Sequence, residues 1–216
     1  MSPACAQYAS WRTFSVSNVS KQISKWDDRF ARGEELHGYA PSPPLPGAVA
    51  GIAPGLALDL ASGAGRHAIW LAERGWRVHA IDGSRTGIEL MWNEARRRGV
   101  VERIEARLAD LEEPHFTLPP DSYDLVCDFY FLRRPLFEQI RRAVRPGGLF
   151  VAALHVKGGA EPGRFVLEPG ELRALVETWG WEVLSSRQGE SPEGGHRHPT
   201  AEIVARRPES VQGSWT

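Results

Sequence analysis

The run LALDLASGAGRHAIWLAERG at residues 56–75 constrains this chain more than any other segment. A short apolar stretch leads into a glycine-rich turn and then into apolar residues at helical spacing, which predicts a strand, a tight turn and a helix. Gly63 and Gly65 let the backbone turn sharply and let a ligand come close, while the first N–H groups of the helix direct a positive dipole end at the same spot. Gly75 supplies a left-handed stop. A parallel sheet flanked by helices is the natural setting for such a unit.

The remainder of the chain repeats this alternation. Strands are expected at 56–60, 76–81, 101–107, 123–129, 148–154, 180–186 and 200–206, and helices near 65–74, 85–98, 134–144 and 169–178. The expected fold is α/β: a seven-stranded, mostly parallel sheet with helices on both faces. Its last strand is antiparallel, because QGESPEGGHRHP (188–199) holds only turn-forming or polar residues and returns as a hairpin. Gly99 ends a helix whose last turn carries Arg96, Arg97 and Arg98, a place where cations suit the dipole, so these read as caps and not as a nucleic-acid patch.

The 216 residues suit one domain with a substantial core. Residues 1–16 read as a mobile or loosely docked arm, 17–54 as an N-terminal helix (18–33) followed by a proline-rich segment, 55–208 as the compact domain, and 209–216 as a tail. GYAPSPPLPG (38–47) reads as extended loop.

The second expected strand ends in Asp82, 19 positions beyond Gly63. An acid there accepts hydrogen bonds from both hydroxyls of a ribose, so loop and acid together point to an adenosine-containing cofactor. Gly63-x-Gly65-x-x-Ala68 also satisfies the relaxed dinucleotide fingerprint, which makes NAD the rival. Three features argue against it. Asp59 closes the first strand, where it repels a pyrophosphate and attracts an ammonium. Asp110, in RLADLEE (107–113), is placed to accept from an adenine amine. VRPGGLFVAAL (144–154) ends a helix in a Pro-Gly-Gly turn and re-enters the sheet.

With those residues in view, the chain from about Trp26 to Arg207 resembles the class I S-adenosylmethionine-dependent methyltransferases. Within them it is similar to the tellurite-resistance and thiopurine-type small-molecule group. LDLASGAGRHAIWLAERG, AIDGS, RLADLEE, SYDLVCDFYFLRRPLF and LRALVETWGWEV carry the likeness in order. The resemblance implies a Rossmann-like sheet and S-adenosylmethionine as cofactor, with S-adenosylhomocysteine (SAH) as product. The methionine portion is then expected beside Asp59, Gly63 and Gly65, the ribose on Asp82 with Gly83 and Ser84 lining the turn, and the adenine between Asp110 and Leu111. Asp128 and Phe129 are expected to face the methionine portion and the methyl group. Ala61-Ser62 replaces the more usual Gly-Cys of the group, and Ala61 is expected at negative φ.

The implied activity is methyl transfer to a small-molecule nucleophile by in-line displacement, with a thiol or chalcogen acceptor favoured by the resemblance alone. The alternatives are a non-catalytic cofactor-binding domain and an NAD-linked oxidoreductase. Residues 26–46 are too long for a simple connector, and their aromatics Trp26, Phe30 and Tyr39 need another apolar surface, for which the edge above the glycine loop is nearest. The segment is expected to fold over the cofactor as a lid with Trp26 and Tyr39 at the methionine end, the alternative being a passive brace packed elsewhere on the sheet.

His155 at the end of the fifth strand is a candidate general base, and Arg133, with Arg134, a candidate for facing an anion. His196 and His198 read as surface-loop residues without a third metal ligand, so no metal site is expected. The formal net charge of −1 gives no field for nucleic acid or an anionic membrane, and no stretch approaches the roughly 20 apolar residues of a membrane span. Two cysteines, Cys5 and Cys127, are too few for a disulfide framework, which fits the cytoplasm.

Overall fold

The computed structural model describes residues 21–33, 38–158, 165–191, 193 and 198–209. The expected arm, Cys5, His196 and nearly all of the tail lie outside them. The helices are α1 (Lys21–Ala31), α2 (Pro44–Val49), α3 (Arg66–Glu73), α4 (Arg85–Arg97), α5 (Leu136–Ala143) and α6 (Glu171–Thr178). The strands are β1 (Leu56–Leu60), β2 (Arg77–Asp82), β3 (Ile104–Leu108), β4 (Tyr123–Phe129), β5 (Val144–His155), β6 (Glu182–Gly189) and β7 (Thr200–Arg206).

One sheet runs in the order β3-β2-β1-β4-β5-β7-β6, parallel from β3 to β5, with β7 antiparallel to both its neighbours. The expected seven-stranded α/β fold is therefore the observed one. Alternation along the inner strands fills two cores. Ala57, Val78, Ala80, Leu125, Cys127 and Val151 meet α2, α3 and α4 on one face. Leu58, Leu60, Ile81, Val126, Phe150 and Ala152 meet α5 and α6 on the other. Cys127 is fully buried, and burial raises its thiol well above the ordinary value.

Several boundaries differ for local reasons. Pro44 starts a helical turn inside the stretch read as extended, because a proline in the first turn removes no N–H that the helix uses. Leu45 of that turn is fully buried in the core, so the compact unit begins before Gly55. Val101–Arg103 forms a 3₁₀ turn ahead of β3. β5 begins at Val144, before the Pro-Gly-Gly turn, and its pairing with β4 shifts register there. α5 starts after Pro135, in keeping with the aversion of a pre-proline residue for helix.

The arginine cluster at the end of α4, expected as caps, is engaged by neighbouring side chains, with Arg96 donating to Asn93. Arg97 grips Glu94 through both its Nε and a terminal nitrogen, and Arg98 bridges Glu94 and Glu73. Gly75 and Gly99 both take positive φ at their helix ends.

Candidate active site

The C-terminal edge of the parallel strands gathers three acids: Asp59 from β1, Asp82 from β2 and Asp128 from β4. All three are buried. Asp59 accepts a 3.1 Å bond from the backbone N–H of Ala68, in the first turn of α3. A carboxylate thus already stands on the helix end where a dinucleotide phosphate would sit, which disfavours the NAD reading. Burial, opposed by that bond and reinforced by the charge of Asp82, lifts the Asp59 carboxyl to about 7.

Asp82 ties two loops together. Its Oδ2 accepts from Gly63 N–H at 2.8 Å and its Oδ1 from Ser84 N–H at 2.7 Å. Burial raises its carboxyl to about 6 against these bonds. Burial raises Asp128 well above the usual range, while the backbone N–H of Phe131 works the other way. Among the described residues, Asp128 Oδ1 and Ser62 Oγ are buried without a hydrogen-bond partner.

The glycine loop is tightly enclosed. Gly63 and Gly65 both take positive φ; the space for a Cβ on Gly65 is filled by Met91, and on Gly63 by the ring of Phe30. Ala61 also takes positive φ, +52°, correcting the expectation of a negative value. The turn out of β1 is left-handed at Ala61 despite its methyl group, and the Ser62 N–H bond to the Ile81 carbonyl secures it.

α1 lies across this edge. Ile23, Asp27 and Phe30 fall at i, i+4 and i+7, one helical face. Ile23 sits against Gly83 and Phe30 against Gly63. Asp27 Oδ1 accepts from Ser84 Oγ at 2.5 Å and from Thr86 N–H at 3.0 Å, at the start of α4. Trp26 remains 38% exposed, with Arg29 over its ring. Tyr39 stands elsewhere, beneath Arg98 at the far end of α4, where its ring and the guanidinium attract one another. The lid role expected of Tyr39 is not supported by that placement. Phe30 stands over the loop as expected of an aromatic in this segment, whereas Ile23 and Asp27 of the same face were legible only as an amphipathic period in 21–31.

Asp110 accepts from Glu112 N–H at 2.8 Å beside the buried Leu111. Arg133 donates to the carbonyls of Leu111 and Glu113, and Arg134 pairs with Glu171, so neither expected anion-facing arginine is free for that role. Phe129 stacks on His67 at 3.9 Å, within the core on the α3 side. His155 closes β5, 5.1 Å from the Tyr130 ring and 5.9 Å from that of His198. Among the described residues no three metal-ligating side chains cluster.

The acceptor set fits an adenosine cofactor that carries an ammonium. Three buried carboxyls, one oxygen of which lacks a partner, call for donors, and an ammonium with two ribose hydroxyls supplies them. Fold and family match together point to the Rossmann-like class of S-adenosylmethionine-dependent methyltransferases. More particularly, residues 57–148 match the family model for a methyltransferase domain. No curated protein matches the chain.

Among solved structures, the chain is similar to the DhpI–SAH complex at 26% identity, covering 91% of this chain and 100% of that one, with a TM-score of 0.61. TehB from Haemophilus influenzae shares 20% identity over 84% of this chain and 67% of its own, with a TM-score of 0.67. The [4+2]-cyclase SpnF shares 16% over 92% and 86%, with a TM-score of 0.62.

Proposed function

We propose that this methyltransferase acts on a small-molecule nucleophile, with a thiol or chalcogen as the first acceptor class to try, and that the acids and glycines of the sheet edge hold its cofactor. The observation that carries the reading is Asp59 seated on the α3 terminus, which favours an ammonium and opposes a phosphate. When bound, S-adenosylmethionine supplies a methyl group already activated as a sulfonium.

The chain's own residues then bind, align and exclude water. Asp82 accepts from the ribose hydroxyls, with Gly83 and Ser84 beside it; Asp110 and Leu111 bracket the adenine. Asp59, Ala61, Ser62, Gly63, Gly65 and Asp128 surround the methionine portion, and Phe129 supports them from the core side. α1 serves as the lid, through Ile23, Asp27 and Phe30, with Trp26 at its rim. Such closure keeps water from the displacement and restricts which acceptor enters. His155 is the candidate to take a proton from the acceptor.

The near-neutral charge and the paired arginines of α4 favour a small acceptor over a nucleic acid. Among the described residues no helix is long and apolar enough to cross a membrane. The scarcity of cysteines favours a cytoplasmic setting.

Native mass spectrometry of the purified protein tests for bound cofactor, and SAH release with a panel of small acceptors tests for transfer. A second reading, cofactor binding without methyl transfer, draws on the likeness to a cyclase, since one fold hosts several chemistries. Tight cofactor binding with no SAH released from any acceptor favours that reading.

A further inference from the structure

The sheet order places the ends of β4 and β5 on the opposite side of β1 from Asp82. With the ribose at Asp82 and the ammonium near Asp59 and Asp128, the acceptor side of the site is therefore at β4 and β5. A polar network fills that side. Arg66, the first residue of α3, pairs with Glu193 at 2.7 Å and donates to Ser42 Oγ at 3.0 Å. The Tyr130 hydroxyl donates to the other carboxylate oxygen of Glu193 at 2.9 Å. Ser42 Oγ lies 3.0 Å from His67 Nε2, and burial together with the Arg66 charge keeps that imidazole neutral.

Two features set this network apart from a surface ion pair. Arg66 and Glu193 are only 19% and 16% exposed. Tyr130 takes φ +64°, a left-handed conformation unfavourable for an aromatic residue, directly after β4. Burial acts to raise the Glu193 carboxyl, yet bonds from Ser42, Arg66 and Tyr130 hold it below its ordinary value. Next to His155 in the β5–β7 pairing, Thr200 is 1% exposed and its hydroxyl has no partner among the described residues.

We propose that Arg66, Tyr130 and Ser42 form a recognition set for a carboxylate on the methyl acceptor, and that Glu193 occupies this set in the acceptor-free protein. The inference rests on the methyl-transfer reading and narrows it to acceptors carrying a carboxylate away from the reacting atom. A guanidinium and a hydroxyl meeting one carboxylate from two sides match that group's planar geometry.

The test titrates SAH-saturated protein by calorimetry with two probe pairs that differ in charge: mercaptopropionate against mercaptopropionamide, and hydroxybenzoate against hydroxybenzamide. Each acid is expected to bind about tenfold tighter than its amide. Glu193→Gln should strengthen acid binding, and Arg66→Met should erase the preference while SAH still binds. Tyr130→Phe, which keeps the ring in place, should reduce the preference several-fold and serves if Arg66→Met does not fold. Equal binding of acid and amide, no binding of either, or a preference that survives both variants overturns the carboxylate set and leaves methyl transfer standing. Failure of SAH itself to bind overturns both.

Discussion

The Gly63 N–H donates to Asp82 Oδ2 at 2.8 Å, so the acid that closes β2 also holds the loop that leaves β1. Asp82→Ala therefore removes a loop brace together with the proposed ribose acceptor. Affinity for S-adenosylmethionine should fall by about 1.5–3 kcal/mol, the range for a hydrogen bond to a charged group. Calorimetry on the folded variant measures this, and unchanged affinity would count against the assigned role.

The buried acids make binding depend on pH. Asp59 and Asp82 have carboxyls raised to about 7 and about 6, so between about pH 4 and 7 the folded chain holds more protons than the unfolded one. Their contribution to ligand-free stability accordingly falls as pH rises through that window and levels off above it. A bound ammonium favours the ionised acids, so binding should expel protons and tighten as pH rises from about 5.5 to about 7.5. Calorimetry in buffers of different ionisation heat reads the proton count; proton uptake would contradict the arrangement.

Asp27 latches α1 to the start of α4 through Ser84 and Thr86. Asp27→Ala should cost about 1 kcal/mol of stability, comparable to the loss of a helix cap. Amide exchange at residues 21–31 should accelerate, and adding SAH to the unaltered protein should slow it. Exchange there that ignores both the substitution and the ligand would make α1 a passive brace.

Ala61 adopts a conformation suited to glycine. Ala61→Gly should relieve strain and stabilise the protein by about 1 kcal/mol, the left-handed penalty being 1–2 kcal/mol before the added chain entropy of glycine. A denaturant midpoint that moves down would show that the turn favours alanine for a reason other than φ.

The period of apolar residues settled the order of strands and helices, the glycine turn after β1 and the acid after β2, because each is a local pattern of a few residues. The hairpin return before β7 was equally legible, since a run broken by Gly189, Pro192, Gly194, Gly195 and Pro199 leaves no helix to cross over to a parallel strand. Two kinds of feature were not. Pro44 reads as a breaker in sequence, yet α2 forms because Leu45 and Val49 find a face of the sheet to cover. Arg133 and Tyr39 read as site residues by position along the chain, but contacts 22 residues away at Leu111 and at the far end of α4 claim them. Conversely, Ser42, Arg66, Tyr130 and Glu193 meet only because the sheet order brings the end of β4 beside the loop of β1 and the connection into β7. Local patterning determined which elements form and where the glycine turn and the acids Asp59 and Asp82 fall; tertiary packing decided that α1 covers that turn and that Arg66, Tyr130, Ser42 and Glu193 meet, because both depend on residues far apart in sequence that share no repeat.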